Sequence, residues 1–277
     1  MPEGRFSKLQ SGSGSTIRPD KLTPPPGTVG RQREAAAKAP PVDDDRGYAG
    51  FVQLADEAFY SGNYRDALRY YSRALQEDNS HVVPWIGQVS ALIELRQYKE
   101  AELWTNRALE TFPEDPSVLS QRARVLALTG NLKRAIGVSD YALGIGGSSW
   151  AWLARGEVLL EAGEKNALFC FDKAVESADA ERWRILLEAG RCFMRRRQWA
   201  SAEAFLRRAA EAKPDNFFVW YEYALVLTEL NFTDRARDAI DRCLQLRGDF
   251  RAAKNLEMKL YRRPFLKRLL GIFRRRR

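Results

Sequence analysis

The sequence predicts an all-α solenoid of about six stacked helical hairpins, and three observations predict it. Ala67, Ala101, Ala135, Ala167, Ala202 and Ala236 are separated by steps of 34, 34, 32, 35 and 34 residues. Ala74, Ala108, Ala142, Ala174, Ala209 and Cys243 repeat the same five steps in register. A bulky residue opens each unit: Phe51, Trp85, Leu119, Trp152, Leu186 and Trp220. Self-similarity at this period marks a repeat architecture in which each hairpin leaves an apolar face uncovered until the next one stacks on it.

Residues 1–47 precede the repeats and read as a disordered tail. Ser11-Gly12-Ser13-Gly14-Ser15 and Pro24-Pro25-Pro26-Gly27 propagate neither helix nor buried sheet, and few large apolar residues offset the entropy of ordering. Six repeats occupy 48–249. Two antiparallel helices approach closely only where side chains are small, which assigns the alanine series to the helix crossings. Gly190 occupies one such crossing, so Gly190→Leu should overpack it. The fourth unit departs from the strict period: Gly156 to Ala167 spans 11 residues where the others have 12, which shortens its internal turn and should change the pitch locally.

Residues 250–263 carry Phe250, Ala253, Leu256, Leu260 and Tyr261 at helical spacing and read as a capping helix. Pro264 interrupts it. In 264–277, Phe265, Leu266, Leu269, Leu270, Ile272 and Phe273 share one arc of a helix and Lys267, Arg268, Arg274 and Arg275 the other, giving a basic amphipathic helix.

The first unit, Phe51, Ala55, Ala58, Tyr64, Ala67, Tyr71 and Ala74, and its five successors resemble the tetratricopeptide repeat (TPR) over about 200 residues. The resemblance implies a right-handed α-solenoid acting as a protein–protein interaction scaffold, with the first helix of each hairpin lining a concave groove. Carried onto this chain, the groove positions include Phe59, Ile86, Ile93, Arg124, Leu128, Trp150, Leu153, Leu160, Leu187, Arg191, Met194, Arg195 and Tyr221. Such a groove suits an extended peptide or an amphipathic helix, and Arg191 and Arg195 are expected to pair with acidic groups of a partner. The carboxylate clamp of co-chaperone arrays is not expected: its Lys and Asn positions are filled here by Val52, Asp56, Gly87, Ser117 and Gln121.

Composition narrows the function classes. The formal charge is +9, yet the residues from Arg251 onward hold eleven Lys or Arg and one acid, so the preceding 250 residues sum to about −1. Three separated cysteines and one histidine form no metal or redox motif, no nucleophile–base constellation is legible, and neither enzymatic activity nor a cofactor is expected. No run of 18 apolar residues occurs. The basic segment, with Arg262, Arg263, Phe265, Lys267, Arg268, Leu269, Ile272, Phe273, Arg274 and Arg275, is read as a contact to an anionic membrane surface, placing the scaffold in the cytoplasm on a membrane face. A salt-sensitive nucleic-acid contact is the alternative, and a second cap the third reading.

Overall fold

The computed structural model describes residues 47–261; the expected tail, and the basic segment from Arg262 onward, lie outside the described residues. Six helical hairpins follow one another: α1 (Gly47–Phe59) with α2 (Tyr64–Glu77), α3 (Val82–Glu94) with α4 (Tyr98–Thr111), α5 (Pro116–Leu128) with α6 (Leu132–Ile145). Then come α7 (Ser149–Ala162) with α8 (Ala167–Glu176), α9 (Arg182–Arg195) with α10 (Trp199–Ala212), and α11 (Phe217–Glu229) with α12 (Thr233–Leu246). The chain is helical again from 251 to 261, where Ala253, Leu256 and Leu260 are buried in the core that also holds Ile240 and Cys243 of α12. There is no strand among the described residues, and none of their helices is long and apolar enough to cross a membrane.

Local chemistry sets the helix ends. Asp115 accepts hydrogen bonds from the Ser117 and Val118 amides ahead of Pro116, Ser148 from Ala151, and Asn216 from Phe218 and Val219. Between the two helices of each hairpin one residue takes the left-handed conformation: Gly62, Arg96, Gly130, Gly163, Arg197 and Asn231, with φ from 55° to 87°. The core lies at the helix crossings, where both small-residue series are buried throughout. At Gly190 an added Cβ would come 2.6 Å from Leu206 Cγ across the α9–α10 crossing. The turn of the fourth unit is not the shortened part, since residues 163–166 separate its helices; helix α8, with 10 residues against 13 or 14 in the other hairpin helices, carries the shortening instead.

The first hairpin also touches the fifth and sixth. Asn216 Nδ2 donates to the Tyr60 carbonyl at 3.3 Å, the Tyr60 and Trp183 rings meet edge-on at 5.0 Å, and Tyr64 meets Phe218 at 6.5 Å. Gly62 makes this approach possible: any Cβ there would fall 2.3 Å from the Phe218 ring. The array therefore curls until its beginning rests on its later repeats.

Candidate functional site: the interior of the array

The first helices line the interior, and α3, α5, α7, α9 and α11 each send charge into it. Arg124 of α5 donates to Glu157 of α7 at 2.5 Å and reaches Glu188 of α9 at 3.5 Å. Arg195 of α9 holds Glu157 at 2.6 Å and Glu94 of α3 at 2.8 Å. Arg191 completes the ladder, with Glu188 at 2.6 Å and Glu222 of α11 at 2.9 Å. Its guanidinium also lies 5.6 Å from the Phe59 and Phe218 ring centres and 5.7 Å from that of Tyr64, so one side chain joins repeats one, five and six.

Three arginines thus meet four glutamates, one carboxylate in excess. Glu157 has two guanidinia; burial alone would raise it, but Arg124 and Arg195 outweigh that and hold its carboxyl down at about 2. Glu222 has only Arg191, and burial pushes it up to about 7 against that single pull. Burial therefore favours the neutral form of Glu222.

This changes the expectation for the arginines. Arg124 and Arg191 are each only 2% exposed and Arg195 is nearly covered; all three are paired with glutamates of their own chain instead of reaching toward an acidic partner. The reason is that neighbouring first helices carry opposite charges at facing positions, and the curl of the array adds the longer reaches of Arg195 to Glu94 and Arg124 to Glu188. Ile93, Leu160 and Leu187 are buried between helices, whereas Leu128, Met194 and Tyr221 are half-buried against the core. The basic-segment residues expected to contact a membrane lie outside the described residues.

The other four groove positions come together with Arg124. Phe59, Ile86, Arg124, Trp150 and Leu153 line a cavity of about 210 Å³, with Ser90, Ser117, Ser120 and Gln121 as polar lining. Asp56, Tyr60, Val83 and Arg184 border this cavity and also a wider cleft of about 800 Å³, lined further by Val52, Gln53, Glu57, Trp183 and Asn216. At the shared rim Arg184 lies 4.6 Å from the Tyr60 ring centre and 5.5 Å from that of Trp183. It donates to Glu181 at 2.6 Å and lies 3.9 Å from Asp56, whose other oxygen accepts the Tyr71 hydroxyl at 2.6 Å. Trp150 Nε1 donates to Glu181 at 3.2 Å, tying α7 to the same rim.

Sequence reasoning missed Glu188, Glu222, Glu181 and Trp183. A usable signal was present in the alternation of charge at equivalent interior positions, Arg124, Glu157 and Arg191, which marks a ladder between neighbours more than a row offered to a ligand.

Family models described as tetratricopeptide repeat match residues 58–125 and 165–217. A thermophilic TPR protein of Thermus thermophilus is similar in structure, with 18% identity, 66% of this chain and 100% of that chain covered, and a TM-score of 0.50. YrrB, a TPR protein with an unusual peptide-binding site, aligns at 18% identity over 68% of this chain and 97% of its own, with a TM-score of 0.39. A TPR protein from Parabacteroides merdae aligns at 15% identity over 79% and 87%, with a TM-score of 0.44. No curated protein sequence matches the chain.

Proposed function

Because the chain is a tetratricopeptide-repeat protein, and with it an interaction scaffold, we propose that it binds an extended or helical segment of a partner protein in the cleft between α1 and α9, with a side chain of that segment entering the adjoining cavity against Trp150. The observation that carries this reading is the coincidence of space and chemistry. An 800 Å³ cleft and a 210 Å³ cavity share a rim, and the cavity sets the apolar side chains of Phe59, Val83, Ile86, Trp150 and Leu153 beside polar and charged ones from Ser90, Ser117, Ser120, Gln121, Asp56 and Glu181. That is the make-up of a recognition site for an amphipathic segment. The remaining interior is filled by the chain's own ion pairs, so the segment occupies the cleft instead of running the length of the concave face.

Random 12-residue peptides displayed on phage and selected on the intact chain test this. Selected peptides are expected to bind at least about tenfold more weakly to Trp150→Ala, a loss of about 1.4 kcal/mol. Peptides that ignore Trp150→Ala would place binding elsewhere and end the cleft reading.

We further propose that residues 264–277 hold the scaffold on an anionic membrane surface at its cytoplasmic face. The separation of apolar and basic residues in that segment supports this. Flotation with phosphatidylserine-containing vesicles should be lost on deleting 264–277; a salt-steep shift of RNA or DNA lost instead would favour the nucleic-acid reading.

A further inference from the structure

The rim of the cleft already holds a cation, and its surroundings describe what else fits there. The Arg184 guanidinium lies against the Tyr60 and Trp183 rings and between the Glu181 and Asp56 carboxylates. These groups come from two distant hairpins: Asp56 and Tyr60 from the first, and Glu181, Trp183 and Arg184 from the fifth. Arg184 is 28% exposed at its side chain, so it sits at the cleft surface and not in the core. Aromatic faces and carboxylates attract guanidinium and ammonium groups by the ring quadrupole and by charge.

The charge count points the same way. Asp56, Glu57 and Glu181 face the two connected spaces, and Arg184 is the one guanidinium among these rim groups. Arg124 at the inner wall is engaged with Glu157 and Glu188 and does not offset them. A partner segment that brings a positive charge corrects this imbalance, whereas an acidic one adds to it.

We propose that the cleft recognises an arginine or lysine of its partner, which takes the place of Arg184 against Tyr60 and Trp183 and between Asp56 and Glu181. The proposal rests on the cleft reading above and adds the chemical class of its ligand. Arg184 is then a resident stand-in that keeps the site covered when no partner is bound. Displaced, it swings to the open side of the cleft, where Glu57 is exposed.

The test uses the intact chain and Nα-acetyl-arginine amide as probe, with Nα-acetyl-citrulline amide as the neutral control, followed by tryptophan fluorescence. Arg184→Ala is expected to bind the arginine probe at least about tenfold more tightly than the unmodified chain. The citrulline probe should give no saturable change, and adding Asp56→Asn should remove the gain. Arg184→Gln serves as a second variant should Arg184→Ala fail to fold. A folded Arg184 variant that shows no arginine-dependent response, or that responds equally to citrulline, overturns the proposal. Peptides selected as above separate the two readings. If they are sensitive to Trp150→Ala yet lack Lys and Arg or ignore Asp56→Asn, the cation site fails and the cleft stands. If they ignore Trp150→Ala, the cleft itself fails.

Discussion

Arg195 in the fifth hairpin donates to Glu94 in the second at 2.8 Å, closing a contact between residues 101 positions apart. The same guanidinium holds Glu157, which is fully buried. Truncating Arg195 removes the guanidinium that holds Glu94 and leaves Glu157 with Arg124 alone, and breaking a buried pair from one side costs about 3–5 kcal/mol. Arg195→Ala should therefore move the denaturant midpoint down strongly, with hydrogen exchange rising in both α3 and α9. Faster exchange confined to α9 would contradict the bridge.

Glu222 makes stability depend on pH in a direction opposite to the usual carboxylate. Its folded value of about 7 lies above its ordinary 4.5, so the folded chain binds the proton more tightly than the unfolded chain. Its contribution is full below about 4.5, falls as pH rises from there to about 7, and is lost above. Glu157, held at about 2, works the other way: its contribution is present above 4.5 and lost as pH falls from 4.5 to about 2. Glu222→Gln should flatten the decline in melting temperature between pH 5 and pH 8, read by calorimetry across that range. An unchanged slope would remove Glu222 from the account.

Arg96 and Arg197 hold left-handed backbone at φ 58° and 55°, positions that glycine fills in three of the other hairpins. A left-handed non-glycine residue costs about 1–2 kcal/mol, against the entropy glycine adds to the unfolded chain. Arg197→Gly should raise stability by up to about 1 kcal/mol, whereas Gly130→Ala, at φ 87°, should lower it by about as much. Thermal unfolding of the two variants side by side checks the sign.

Gly190→Leu should destabilise the α9–α10 crossing by about 1–3 kcal/mol or more, because Leu206 already occupies the space a Cβ would enter. Leu206→Ala in the same chain should recover part of that loss. A Gly190→Leu variant as stable as the original would mean that the crossing yields easily.

The six hairpins were legible because their signal is local: an alanine that recurs every 34 residues or so marks a crossing with its sequence neighbour, and the series from Ala67 to Ala236 is buried throughout. The turns were half legible, since Gly62, Gly130 and Gly163 advertise the left-handed position while Arg96, Arg197 and Asn231 conceal it. Five of the thirteen groove positions do line one cavity. The meeting of Arg191 with Phe59 and Tyr64 was not legible, because those rings arrive from the first hairpin, which no repeat spacing relates to the fifth. A periodic pattern reports each unit's nearest neighbours; curvature accumulated over five units decides which distant faces meet.

The contact of Gly62 with Phe218 alters how such a chain can come apart. A row of stacked units can be peeled from either extremity, each unit giving way with only one neighbour to hold it. Where the leading unit is buttoned to the trailing ones, that unzipping loses one of its starting points. The first hairpin must be unfastened before it can be shed. Loosening that button, as Phe218→Ala would, should turn a single concerted melting into one that begins at the amino-terminal side.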